Sequence, residues 1–200
     1  MLTKEQINKL LENTTNKKIL CIGPHKGDVN ISDIDASCTV HNLDFYTKEN
    51  LQGNKFFQQD FNEKWKVDED YDCVILSFVL EHTHNPQFLI NEAHRVLKKG
   101  GTCFIAIPLG YAIADVIQNT LAKATDKQTG HYYKFTTEEL LHKMIDTGFE
   151  LYGLGADDAD IRSHAFIETE LWLKMIGYYK NKYGVDLERY NSFVGYFRKR

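Results

Sequence analysis

YDCVILSFVLEHTHNPQFLINEAHRVLKKGGTCFIAIP, residues 71–108, reads as a strand, a helix and a second strand in succession. Asp72-Cys73-Val74-Ile75-Leu76-Ser77-Phe78 is a short, nearly unbroken apolar run. That is the pattern of a strand buried on both faces of a parallel sheet, not of one with a wet side. Asn85-Pro86 opens the helix: asparagine is a good N-cap, and proline suits the first helical position because its missing N–H would be unpaired there anyway. Leu89, Ala93, Val96 and Leu97 fall on one face. Lys98, Lys99 and Gly100 are expected to stop the helix, the lysines complementing the dipole and the glycine taking the left-handed conformation. The run 102–107 is then a second buried strand, and the three elements form a right-handed βαβ unit.

The flanking segments extend the same alternation. Residues 2–11 carry a helix start, with Thr3 as cap, Gln6 completing the capping box and Leu2 able to staple onto Ile7. Residues 18–22 read as the first strand, and Gly23-Pro24-His25-Lys26-Gly27 is the loop that leaves it. Residues 28–37 fit neither a helical stripe nor alternation and are read as a short or distorted helix. Strands follow at 38–45, ending at Asp44, and at 55–59, ending at Asp60. Beyond Pro108, residues 109–133 form a long connection with helical character at 112–124. Thr136-Thr137-Glu138-Glu139 caps a helix that runs to Gly148. Residues 149–153 and 192–198 read as strands, with a turn-rich 155–160 and a helix at 164–179 between them. Without repeats or linkers, residues 1–200 are expected to form a single domain with insertions at about 109–133 and 155–185.

Composition narrows the classes of protein. Two hundred residues can bury about 70% of the surface that the unfolded chain exposes, so no disulfide or metal staple is needed. Cys21, Cys38, Cys73 and Cys103 lack CxxC spacing and read as reduced core residues of a cytoplasmic protein. A net charge of -4, with no basic stripe beyond a solvated Arg198-Lys199-Arg200 tail, argues against nucleic acid as a partner. No apolar run approaches the ~20 residues that span a bilayer, and the charged N-terminus is unlike a signal peptide. A homodimer is compatible with the sequence.

An open α/β sheet binds ligands beyond the carboxyl ends of its strands, where the strand order reverses. That rule selects residues 23–27, Asp44, Asp60, residues 77–82 and Pro108. Glycines after the first strand allow close approach of a ligand to the backbone. An acid ending the second strand can accept both hydrogen bonds of a ribose diol, and Asp44 lies about 17 residues after Gly27, near the ~20-residue interval of that role. The pattern points to a nucleoside ligand. His82 and His84, without further ligands at suitable spacing, do not make a metal site.

With its acidic-His pair, its helix ending in Arg-Val-Leu-Lys and its strand ending in proline, the 71–108 stretch resembles class I S-adenosylmethionine-dependent methyltransferases of the small-molecule, type 11-like group. Residues 130–136, with Glu139-Leu140 and Gly148-Phe149, are similar to the segment that these enzymes place between their fifth and sixth strands. The resemblance covers roughly residues 17–151. It implies a three-layer, Rossmann-like, doubly wound α/β sheet of about seven mostly parallel strands with an antiparallel last strand. It also implies S-adenosyl-L-methionine as cofactor and a small-molecule or sugar-like acceptor. Carried over by position, Gly23, His25 and Gly27 would wrap the methionine part, Asp44 would hold the ribose, Asp60 and Phe61 would recognise adenine, and Ser77, Phe78 and His82 would line the floor beneath the sulfonium. His131 is the first candidate for a general base, followed by His82 and Glu81, because an unperturbed histidine titrates near pH ~6.5. Tyr132 and Tyr133 are the candidates for positioning the acceptor. The first motif departs from the family pattern: Cys21 stands where an acid is usual, and His25 where a glycine is usual. That departure motivates a second reading, a non-catalytic methyltransferase-like scaffold. A nicotinamide-dependent dehydrogenase is a third, disfavoured by the lack of GxGxxG.

Overall fold

The strand-helix-strand core of 71–108 sits at the middle of a seven-stranded sheet. The computed structural model describes residues 15–24, 36–45, 53–67, 70–108, 132–133, 135–156 and 192–200. The strands are β1 (Lys18–Ile22), β2 (Thr39–Asp44), β3 (Lys55–Gln58), β4 (Tyr71–Ser77), β5 (Leu97–Pro108), β6 (Phe149–Ala156) and β7 (Ser192–Lys199). Their order is β3-β2-β1-β4-β5-β7-β6. Neighbours from β3 to β5 pair in parallel, and β7 is antiparallel to both β5 and β6. This is the Rossmann-like α/β sheet, mostly parallel with an antiparallel last strand, that the apolar runs and the resemblance imply. The expected helices at 2–11, 112–124 and 164–179, and most of the ambiguous 28–37, lie outside the described residues.

Both faces of the central strands are covered. Leu20, Ile22, Val74, Leu76, Cys103 and Ile105 pack on one face with α1 (Pro86–Val96) and α2 (Thr137–Thr147), through Leu89, Ala93, Leu140 and Met144. Ile19, Cys21, Val40, Cys73, Ile75 and Phe104 are equally buried on the other face. All four cysteines are buried and unbridged, and burial pushes the Cys73 and Cys103 thiols up. They pack as small hydrophobes. Among the described residues no helix is long and apolar enough to cross a membrane.

The caps behave as their residue types require. Asn85 Oδ1 accepts from Phe88 N at the start of α1, and Thr136 Oγ1 accepts from Glu139 N at the start of α2. Gly148, at φ +102°, ends α2. The end of α1 differs from expectation. The helix stops at Val96, and Leu97 is already extended and paired with Tyr71, so β5 begins five residues before Thr102. The cause is burial: Leu97 is 2% exposed, and residues 98–101 form a bulge in the β4–β5 ladder, between the Tyr71–Leu97 and Cys73–Thr102 pairs. Gly101 fits there because a Cβ would lie 2.9 Å from the Lys98 carbonyl. Lys98 pairs with Asp70 and Asp72 instead of capping the helix. That role falls to Lys199, whose Nζ donates to the His94 and Leu97 carbonyls at 2.7 and 2.8 Å. The C-terminal basic residues are therefore not a solvated tail: Arg198 and Lys199 belong to β7, and Arg200 pairs with Glu150 at 3.6 Å.

One polar cluster fixes the loop after β3 onto α1. Arg95 grips Glu92 with two hydrogen bonds, Nε to Oε1 at 2.8 Å and Nη2 to Oε2 at 2.7 Å. The pair then takes both backbone groups of Trp65: its N–H donates to Glu92, and its carbonyl accepts from Arg95. Trp65 is 2% exposed, so this anchor lies in the core. Arg95→Ala is expected to cost about 2–3 kcal/mol, because it leaves a buried carboxylate without its fork; urea unfolding at pH 7 measures it. Burial alone would raise the Glu92 carboxyl, but the Arg95 guanidinium and the Trp65 N–H hold it below its usual 4.5. A depressed folded value stabilises above the unfolded one and is lost as pH falls through it. Wild type should therefore lose this contribution below about pH 4.5, whereas Glu92→Gln should lack that component of the acid dependence.

Candidate functional site

The chain leaves β1 outward to β2 and β3, then returns across β1 to β4. The β1/β4 boundary is thus the point where the strand order reverses, and the carboxyl ends at such a point are where open α/β sheets bind ligands. Ile22 pairs with Leu43 on one side and with Leu76 on the other. The next residue of each strand, Gly23, Asp44 and Ser77, therefore shares one row across that edge. Gly23 N donates to the Leu43 carbonyl at 2.9 Å, which holds the start of the loop against β2.

Gly23 is required by two independent constraints. Its φ is +58°, and a Cβ on it would lie 2.7 Å from Val79 Cγ2 and 3.9 Å from Phe61 Cε1. The exits of β1, β3 and β4 converge at that point. After β4, Phe78 also adopts a left-handed backbone, φ +51°, while its N–H still donates to the Ala106 carbonyl at 2.8 Å. A bulky residue rarely sits there, and the conformation turns the chain abruptly into the 3₁₀ turn Leu80–His82. Ser77 is 6% exposed, Phe78 packs against the face that carries Cys21, and His82 is partly exposed.

Other predicted site residues are placed with defined partners. Asp60 Oδ1 accepts from the Asn62 backbone N–H and from Asn62 Nδ2, at 2.8 and 2.9 Å, so one carboxylate oxygen is committed to its own loop. Phe61 packs against the core, and its carbonyl accepts from Trp65 Nε1 at 2.9 Å. Glu81 is 1% exposed, and its carbonyl accepts the N–H groups of Tyr132 and Tyr133 at 2.8 and 3.1 Å. That backbone clasp brings the expected acceptor-positioning tyrosines to the β4 exit. Tyr132 is 48% exposed and lies against His84, ring centroids 4.2 Å apart. The Tyr133 hydroxyl donates to Glu139, and this bond together with burial pushes its pKa up to about 12. His25, Gly27 and His131 lie outside the described residues. Cys21, the departure from the family's usual acid, is 2% exposed within the second-face cluster, where it packs instead of facing a ligand.

Val79, which lies within the 77–82 stretch that the strand-end rule selects but has no role assigned there, also shapes this edge, together with Asn62 and Thr83. Asn62 and Thr83 are not selected by the sequence, because their contact joins residues 21 positions apart.

The comparisons agree with this architecture. The family model of a methyltransferase domain matches residues 2–153, and the chain belongs to that family, in its class I, Rossmann-like form. The ubiquinone/menaquinone biosynthesis C-methyltransferase UbiE of Pseudomonas aeruginosa is 30% identical over 149 residues, covering 74% of this chain and 53% of that protein. The chain thus spans about half the length of this curated relative. Among solved structures, an S-adenosylmethionine-dependent methyltransferase from Mesorhizobium loti superposes with a TM-score of 0.68 at 14% identity, covering 98% of each chain. The phosphoethanolamine N-methyltransferase 2 of Haemonchus contortus, solved with S-adenosyl-L-methionine, gives 0.63 at 15% identity, covering 98% of this chain and 52% of that one. At these identities the two structures establish the shared fold.

Gly23→Ala should destabilise the protein by about 2 kcal/mol, the sum of a left-handed alanine and a side-chain clash. Adding Val79→Ala should remove the clash but not the backbone cost. Urea unfolding of the single and double variants would show it; a neutral Gly23→Ala would contradict the close approach.

Proposed function

We propose that the chain transfers a methyl group from S-adenosyl-L-methionine to a small-molecule acceptor. The observation that supports this most is the single row of Gly23, Asp44 and Ser77 at the switch point, with the Phe61 and Val79 side chains converging on Gly23. The residues present suit a nucleoside sulfonium. Gly23 begins the loop proposed to wrap the methionine part, Asp44 is proposed to hold the ribose diol, and Asp60 and Phe61, at the exit of the neighbouring strand, to recognise the base. The cofactor supplies a methyl group already activated by its positive sulfur.

What remains for the protein is alignment, exclusion of water and, for an acceptor hydroxyl or acidic carbon, removal of a proton. The strained turn at Phe78 sets the floor from which His82 is presented. His82 and His131 are the proposed bases. Tyr133 is an unsuitable base, because its proton is held toward Glu139. Tyr132 and His84 offer an exposed aromatic pair for the acceptor. The part of the Pseudomonas relative in ubiquinone/menaquinone biosynthesis supports a small molecule as acceptor.

Asp44→Ala should weaken S-adenosylhomocysteine binding about tenfold or more, since hydrogen bonds to a charged group contribute ~1.5–3 kcal/mol. Isothermal calorimetry showing equal affinity would remove Asp44 from the site. His131→Ala should lower turnover and leave that affinity within about twofold; loss of binding would make His131 a cofactor residue instead of the base. In a thermal-shift comparison, saturating S-adenosylhomocysteine at 100 times its Kd should raise Tm by roughly 5–10 °C, and NAD should not. A shift with NAD alone would favour a dehydrogenase, and a shift with neither a non-catalytic domain.

A further inference from the structure

The geometry points to Asn62 and Thr83 as a positioning pair that sets the width of the nucleoside crevice; this rests on the methyl-transfer reading above. Thr83 Oγ1 donates to Asn62 Oδ1 at 2.5 Å. The bond joins the loop after β3 to the loop after β4. Those strands are three places apart in the sheet, about 14 Å at the usual strand spacing. Between them lie the ends of β2 and β1, with Asp44 and Gly23. The loops that leave the two ends of this four-strand row are therefore tied directly to each other.

The bond is one link of a continuous chain. Asp60 Oδ1 accepts from Asn62 N and Nδ2, Asn62 Oδ1 accepts from Thr83, Thr83 Oγ1 accepts from Asn85 N at 3.0 Å, and Asn85 Oδ1 accepts from Phe88 N at 3.2 Å. Asn62 thus holds Asp60 with its donors and Thr83 with its acceptor, which fixes its amide orientation without ambiguity. Thr83 is 1% exposed, so its hydroxyl is shielded from water on its own side of the bond, while Asn62 is exposed. Phe61, between Asp60 and Asn62, lies near Gly23, beside Val79. Val79 in turn accepts the N–H of His82, next to Thr83. The two loops thus approach each other around Gly23, through Phe61 and Val79, and are joined by this hydrogen bond.

The bland alternative is that Thr83 only starts α1 and Asn62 only closes a turn. The two roles separate by substitution. Asn62→Ala, on an exposed residue, leaves the Thr83–Asn85 bond intact, whereas Thr83→Val removes both bonds and Thr83→Ser keeps both. If the pair positions the walls, Asn62→Ala and Thr83→Val each weaken S-adenosylhomocysteine binding about fivefold or more, and each raises KM for S-adenosylmethionine more than it lowers kcat. The double variant is then no weaker than Thr83→Val, and Thr83→Ser restores wild-type affinity. Calorimetry alongside thermal unfolding reads these outcomes. A Thr83→Val protein with lowered Tm, together with an Asn62→Ala protein of unchanged affinity, overturns the pair. Fivefold losses that multiply in the double variant also overturn it. Absence of binding to wild type overturns the methyl-transfer reading and the pair with it, whereas wild-type binding with indifferent variants removes the pair alone.

Discussion

The structure depends on β1 lying flush between β2 and β4 with both of its faces dry. Ile19 and Cys21 close one face, and Leu20 and Ile22 the other, all at 2% exposure or less. A strand without a polar face has every backbone group committed to its two neighbours, so its position in the sheet is over-determined. Reversal of strand order at its side puts the switch point at the end of β1, where the next residue is Gly23 and Val79 takes the space of its missing Cβ. Asp44 and Ser77 join that row through register alone. The place of the switch point is a consequence of how the centre packs.

This dependence explains which parts were legible in the sequence. Unbroken apolar runs identify buried strands, and local caps identify helix starts, because both signals lie within a few adjacent residues. Asn85, Thr136 and Gly148 act as their types require. At Lys98-Lys99-Gly100 two local rules compete, although Gly100 does adopt the expected left-handed conformation, φ +74°. Lysines and glycine favour a helix end, but Leu97 gains more by burial beside Tyr71, and the glycines serve a bulge instead. The terminal Arg-Lys-Arg was likewise read by local charge alone, while its partners, His94, Leu97 and Glu150, lie far away in the chain. The strand ends that carry Asp44 and Ser77 were legible from the apolar runs that precede them. Side-chain links such as Asn62–Thr83 and Glu92–Trp65 were not, since single polar residues in loops carry no period and no spacing.

Conformational cost is concentrated at the same edge. Phe78 holds a left-handed backbone that costs an L-residue about 1–2 kcal/mol. The surroundings enforce it: its N–H continues the ladder to Ala106, and Ser77 and Val79 on either side are buried. A glycine there would relieve the backbone but would forfeit the contact of the phenyl ring with the second-face cluster. The strain is thus sustained by packing on both sides of the turn, and it sends the chain into the short 3₁₀ segment bearing Glu81 and His82.

Methyl transfer from a sulfonium asks little covalent chemistry of a protein and much precision of placement. On the proposed reading, rigidity at the carboxyl edge is therefore the relevant property, and it comes from polar bonds as well as from the core. Gln59, 8% exposed, fixes the loop after β3 from within by donating to the Lys64 carbonyl and accepting from Lys66 N. Glu92 and Arg95 fix the same loop to α1. Thr83 fixes it to the β4 exit. Three anchors on one short loop exceed what holding Trp65 in the core alone requires. On the proposed methyl-transfer reading, they would keep the loop of Asp60 and Phe61 at a constant distance from Ser77 and Val79.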